Sequence, residues 1–268
     1  MGQLPGTERV TGRALTVAGS DPTGGAGIQQ DLKTFAALGV WGLSAITAVT
    51  VQDTTSVRRW EPIGPELVRA QVDAVMADVG CDAAKTGMLG TVETVDAVAR
   101  AITDHLIAPL VVDPVLSAGG GGSLSRGDLA EAIRELLFPR AALITPNTVE
   151  ASILSGLDVT TRDEQKEVAV ALAADGPEAV LVTGGHLEGE RVTDVLFAGG
   201  ELIELEGPKA GGDDVHGTGC ALSAAITAFL ARGESVETAV RRARALVADA
   251  ITRAAALGKG AKVLDVRA

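Results

Sequence analysis

ALTVAGSDPTGGAGIQQDLKTFAALG, residues 14–39, carries the decision about the fold. It opens with ALTVAG (14–19), an aliphatic run without polar alternation, as expected of a strand covered on both faces. It closes with Ile28, Leu32, Phe35 and Leu38 on one helical stripe and Gly39 where helices commonly end. Between them, GSDPTGGAG sets four glycines and a proline in a tight turn where backbone can approach a ligand. The turn is not a P-loop, because no Lys-Ser/Thr follows the glycines, and the dinucleotide fingerprint does not align onto it.

The same alternation continues outward. LSAITAVTVQ (43–52), DAAKTG (82–87), LVVDP (110–114), ALITPN (142–147) and AVLVTGG (179–185) read as buried strands. Helical stripes fall in 126–138, stopped by Pro139, in 217–231, and from Ser235 to about Leu257 with Gly258 as cap. RVTDVLFAGGELIELEG (191–207) differs: two strands joined at Gly199-Gly200 form an antiparallel edge hairpin. Strand–helix repetition implies right-handed crossovers and one α/β domain over 14–268, with a mostly parallel central sheet and helices on both faces. Residues 1–13 read as a flexible tail without the apolar core of a secretory signal.

Composition limits the function. The 268 residues are 46% hydrophobic and 22% charged, which suits one large core and excludes disorder. Aromatics make up only 2%, without a single Tyr, so base-stacking platforms are not built here. A net charge of −12 argues against nucleic acid or an anionic membrane as partner. No run reaches the roughly 18 apolar residues of a membrane span. Two cysteines, Cys81 and Cys220, make no disulfide framework and suit a reducing cytoplasm.

In open α/β sheets ligands bind beyond the carboxyl ends of strands, and the unusual residues sit there. GGDDVHGTGCALSAA (211–225) opens an apolar helix with Gly217, Thr218 and Gly219, small residues that leave first-turn amides open as an anion hole. Cys220 lies in that turn, where a thiol pKa is expected to fall, making it a usable base or nucleophile; the alternative is an inert buried thiol. His216 and Cys220 have metal-pair spacing but no further ligands nearby. In TPNTVE (145–150), Asn147 and Glu150 either face a Mg²⁺ hydration shell or form a capping box, and the local pattern favours the box. Asp113, ending VVDPV (111–115), is costly to bury unless paired or liganded, and SAGGGGS (117–123) after it could serve as a lid. Lys85 and Gln52 likewise end apolar strands, whereas His105 and His186 carry no clear signal.

Seven strings in register, AGSDPTGGAGIQQDLKTFAALG, AVTVQDT, KTGML, VVDPV, LITPNTVEA, GGH and HGTGC, resemble the hydroxymethylpyrimidine/phosphomethylpyrimidine kinases of thiamine biosynthesis over nearly the whole chain. The resemblance implies a ribokinase-like three-layer sandwich, ATP with Mg²⁺, and a homodimer. It implies transfer of phosphate to 4-amino-5-hydroxymethyl-2-methylpyrimidine and then to its monophosphate. It puts the pyrimidine against Gly19, Gln52, Met88 and Val115, with Asp31 nearby, and the moving phosphoryl group on Gly217 to Cys220. Cys220 stands where ribokinase relatives carry a catalytic Asp. Asp113, Asn147 and Thr183 would serve the ATP phosphates, and Glu150 the Mg²⁺, directly or through water; Thr183 stands where family members often have Lys. Pyridoxal kinases share the HGTGC region but carry a lid Cys that 116–125 lacks. A pyrimidine-binding sensor with little turnover is the reading from another class.

Overall fold

A computed structural model describes residues 10–117, 128–185, 187, 191–209 and 215–267. Strand β1 (Arg13–Ser20) passes through the glycine turn into helix α1 (Gly27–Ala37), and the chain returns as β2 (Trp41–Gln52). There follow β3 (Val57–Pro62), α2 (Pro65–Asp78), β4 (Ala83–Thr86), α3 (Val92–Asp104) and β5 (Leu110–Val112). Next come α4 (Leu129–Leu136), β6 (Leu143–Ile144), α5 (Thr148–Ser155), α6 (Arg162–Ala173) and β7 (Ala179–Val182). The chain ends with β8 (Arg191–Ala198), β9 (Glu201–Pro208), β10 (Val215–His216), α7 (Thr218–Ala231), α8 (Val236–Thr252) and β11 (Lys262–Val263).

Nine strands form one sheet in the order β3-β2-β1-β4-β5-β6-β7-β8-β9. The six from β2 to β7 are parallel, and both edges are antiparallel: β3 on one side and the expected β8–β9 hairpin on the other. The short central strands are buried along their whole length, as their unbroken aliphatic sequences require. Their alternating side chains fill two cores. Leu15, Ala84, Leu110 and Val112 face residues of α2 to α6, while Ala14, Val111, Leu143 and Leu181 face α1, α7 and α8. Every residue of α7 from Ala221 to Ala231 is buried, which explains a sequence that is apolar all round rather than striped.

The pleat also aligns polar residues. Register pairs Thr16 with Lys85 and Lys85 with Val111, so Thr16, Lys85 and Asp113 share the face toward α1 and α7 at the carboxyl ends of β1, β4 and β5. That placement builds the site.

Three local expectations change. Antiparallel β3 is not legible in the sequence, because VRRWEP mixes exposed and half-buried residues on an edge without regular alternation. Helix α8 starts after Ser235 as expected but ends at Thr252 rather than Leu257. Beyond it Ala255 exchanges backbone hydrogen bonds with Val263 at 3.0 and 2.9 Å, which takes the chain out of helical geometry before Gly258. The last residues of the expected tail are tied down: Trp41 N–H donates to Gly12 O at 2.8 Å, and β1 already begins at Arg13. Residues 1–9 of that tail, the glycine run of the lid, His186 and Gly211–Asp214 lie outside the described residues.

Phe35 is among the largest fully buried side chains of the described residues and sits where α1 meets the sheet and α7. Phe35→Ala is expected to cost about 3–5 kcal/mol of stability, read as a lower midpoint in urea unfolding with an unchanged slope.

Candidate active site

Two turns meet above the sheet. Asp21 organises the first: its carboxylate accepts from the Thr23 amide and hydroxyl at 2.9 Å and from the Ala26 amide at 2.8 Å. It thereby supplies the cap that Ala26, at the head of α1, cannot. Gly217, at φ +90, heads α7 in the second turn; a Cβ there would stand 1.8 Å from Gly25 O. The turns are in backbone contact, and glycine is what permits it. Gly217 gives α7 no side-chain cap, and no acidic residue lies in its first turn, so the amides of Thr218, Gly219 and Cys220 remain available to an anion. A Cβ on Gly219 would meet nothing within 4 Å, so that approach is open.

Beneath this turn lies a buried polar cluster. Lys85 is 0% exposed, with Nζ 3.0 Å from both oxygens of Asp31 and 3.7 Å from Asp113 Oδ2. The Thr16 hydroxyl donates to Asp31 at 2.6 Å, and the Ser223 hydroxyl, on α7, to Asp113 at 2.8 Å. Burial opposes the charge on Lys85, but the carboxylates of Asp31 and Asp113 outweigh it and hold Lys85 as an ammonium. Burial also pushes the Asp31 carboxyl up against the pull of Lys85; the bidentate geometry decides for an ion pair. Asp113, less closely paired, is pushed up by burial. Asp31 is thus fully buried, with Thr16 and Lys85 as its partners, and serves as the counter-ion of Lys85.

Cys220 is half-buried, and Gly27 N–H donates to its sulfur. Its thiol does not follow the sequence expectation. Removal of the sulfur from water pushes it up to about 12; Lys85 pulls the other way, and Asp113 and Asp31 push further up. The resting protein holds a thiol, because desolvation exceeds the pull of a helix terminus.

Gly19, Met88 and Val115 come together. A Cβ on Gly19 would be 2.9 Å from Met88 Sδ, and Met88 packs with Ala48, Val57, Trp60 and Val115. Gln52 ends β2 beside Val57, its amide 3.0 Å from His216 Nε2. On the other side, Asn147 and Glu150 form the capping box, with bonds of 2.9 and 3.0 Å, and Asn147 bridges to Thr183 just beyond the end of β7. Glu150 is nevertheless buried, and burial, with Asp113 adding to it, pushes its carboxyl up to about 8. Asp53, beside Gln52, is a turn-former: it accepts from the Thr55 and Ser56 amides and pairs with Arg58. Sequence reasoning missed Asp21, Thr16 and Ser223, whose partners His216, Asp31 and Asp113 are brought to them by tertiary contact; the local signal was Asp21 before a proline in a glycine-rich turn.

The profile of the phosphomethylpyrimidine kinases matches residues 21–265. The hydroxymethylpyrimidine/phosphomethylpyrimidine kinase of Bacillus subtilis is 43% identical over 249 residues, 92% of each chain. The chain belongs to this kinase family. Among solved structures, the Bacillus subtilis pyridoxal kinase in its ADP complex superposes with a TM-score of 0.88 at 38% identity, covering 94% of this chain and 96% of that one. The Staphylococcus aureus pyridoxal kinase with AMP-PCP and pyridoxal gives 0.87 at 33% identity, covering 95% and 93%. The ribokinase-like fold and the phosphotransferase family read from the seven strings therefore stand, and nucleotide complexes among the neighbours support ATP as donor. Among the described residues no helix is long and apolar enough to cross a membrane.

The donor set suits Mg²⁺ carried in with a nucleotide. Asp113 and Glu150 are oxygen donors, with Asp113 close enough to raise the charge cost of Glu150, and Mg²⁺ commonly takes one or two carboxylates plus phosphates. Among the described residues no group of three or more His, Cys, Asp or Glu could cage a metal unaided.

Glu150 binds its proton up to about pH 8 in the folded chain, against an ordinary value of 4.5. Between those values the unfolded chain has released the proton, so stability falls as pH rises from about 4.5 to about 8. Glu150→Gln keeps a cap acceptor but cannot ionise. In urea unfolding of the metal-free protein the variant is expected to lose this fall and to exceed the parent above pH 8; parallel pH curves for both would contradict the burial argument.

Proposed function

We propose that this chain is an ATP-dependent kinase that phosphorylates 4-amino-5-hydroxymethyl-2-methylpyrimidine and then its monophosphate, for thiamine biosynthesis, as a cytoplasmic homodimer. The observation that carries the reading is the uncapped first turn of α7, with Cys220 in it and the Lys85–Asp31–Asp113 cluster directly beneath. The amides from Gly217 to Cys220 face where a transferring phosphoryl group would gather charge, and prearranged donors there stabilise that charge without reorganising.

The apolar wall of Gly19, Met88 and Val115 receives the pyrimidine ring, and Gln52 offers its amide to a ring nitrogen and the exocyclic amine. Asp113, Asn147 and Thr183 lie toward the ATP phosphates, and Asp113 with Glu150 would hold Mg²⁺ directly or through water. The metal, when bound, neutralises phosphate charge. Because burial keeps the Cys220 thiol protonated, its part is to orient the attacking hydroxymethyl oxygen rather than to wait as a ready base. The second acceptor is a phosphate already anionic, which needs such help less.

A second reading, pyridoxal kinase, is favoured by the solved neighbours that carry that name, and opposed by a lid segment, 116–125, without a cysteine. Incubation with ATP and Mg²⁺ and each of the pyrimidine alcohol, its monophosphate and pyridoxal, read by mass spectrometry, tests both readings. Transfer to both pyrimidines is expected; transfer to pyridoxal alone overturns the first reading, and binding without ADP release identifies a sensor. Cys220→Ala is expected to slow the first transfer by about tenfold to a hundredfold and the second by less. Equal loss in both steps counts against the orienting role.

A further inference from the structure

His216 precedes the anion-binding turn and entered the sequence reading only as half of a discarded metal pair. In the structure its Nε2 lies 3.0 Å from Asp21 Oδ2 and 3.0 Å from the Nε2 position of Gln52, an amide whose O and N exchange places on a flip, joining residues 195 and 164 positions apart. Asp21 is 2% exposed and already accepts from the Thr23 amide, the Thr23 hydroxyl and the Ala26 amide. A carboxylate so supplied with donors is an acceptor only. The ring nitrogen facing it must carry a hydrogen, since a bare lone pair 3.0 Å from a buried carboxylate oxygen is repulsive and leaves both groups unpaired.

That settles the polarity of the third partner. A nitrogen that donates cannot accept from an NH₂ group, so Gln52 must turn its carbonyl oxygen toward His216 and its NH₂ away from it. One ring N–H is then shared by two acceptors, Asp21 and Gln52. We propose that His216 is a positioning residue that fixes the orientation of the Gln52 amide, so that its NH₂ faces the ring-binding wall and selects a ring with an acceptor nitrogen at that edge.

An untethered glutamine presents either end of its amide and accepts a donor or an acceptor with little preference; a tethered one penalises the wrong edge by leaving its own NH₂ unpaired. The ring itself is held against Val57, Met88 and Val115, beside the residue that carries this amide. Asp21 thus acts twice, capping α1 and setting the ring tautomer that in turn sets Gln52. The inference rests on the reading of Gln52 as a pyrimidine contact.

Calorimetric titration of the full chain with the pyrimidine alcohol, and with its two analogues in which one ring nitrogen is replaced by CH, tests it. The parent is expected to discriminate against one analogue by about tenfold. His216→Leu is expected to lose most of that ratio, and His216→Gln, which keeps an N–H donor, to retain it. A structural loss would weaken all three ligands alike and leave the ratio intact, and an unchanged ratio in His216→Leu overturns the proposal. Should His216→Leu not fold, nitrogen NMR of the parent labelled at its three histidines decides: a hydrogen on His216 Nε2 is required, and a bare Nε2 overturns the proposal. A parent that binds none of the three ligands overturns the pyrimidine reading instead, and one that binds all three equally overturns the role of His216 alone.

Discussion

Lys85 and Asp31 meet out of contact with water, both oxygens of the carboxylate 3.0 Å from the ammonium, and the upper half of the molecule is organised around that pair. It ties β4 to α1, Thr16 ties β1 to the same carboxylate, and Asp113 with Ser223 ties β5 to α7. A buried pair of this kind contributes little net stability compared with a well-packed apolar substitute, yet removing either partner strands a charge at about 3–5 kcal/mol. Its effect is therefore on uniqueness of arrangement: helix α7 can settle at one height and rotation only, the one at which Ser223 reaches Asp113. Cys220 and the open amides are carried to their place by that fit.

The second constraint is steric. The turn before α7 and the turn after β1 touch through backbone, and the Gly217–Gly25 approach leaves no room for a side chain. Close contact of two glycine-rich turns brings backbone amides together, which suits phosphate, above the buried Lys85, whose charge Asp31 neutralises. Around this charge, burial keeps the Cys220 thiol and the Glu150 carboxyl protonated in the empty protein. The site thus stores little repulsion toward an incoming polyanion, although the whole chain carries a net charge of −12.

Where residues act through neighbours in sequence, they could be read in advance. The strand and stripe of 14–39, the hairpin turning at Gly199-Gly200, the capping box from Asn147 to Glu150 and the uncapped start of α7 all depend on periodicity or on spacing of four residues or fewer. Edge strand β3 was illegible because Val57 and Trp60 turn partly inward, which is too little to impose a pattern on VRRWEP. The end of α8 was illegible because it is set by a pairing with Val263, not by the local residues. Likewise the capping box was correctly seen, but not that its glutamate is sunk beside Asp113.

By itself the sequence determined the class of fold, the family and the list of residues from which the site is drawn, since aliphatic periodicity, turn chemistry and seven ordered strings are all properties of the chain as written. Only the tertiary structure decided what those residues are. It made Asp31 the counter-ion of Lys85, Cys220 a protonated thiol instead of a thiolate, and His216 the partner of Asp21 and Gln52. The physical reason is the same in each case. Protonation state and hydrogen-bond direction depend on desolvation and on the nearest opposite charge, and both come from strands and helices that meet only when the chain is folded.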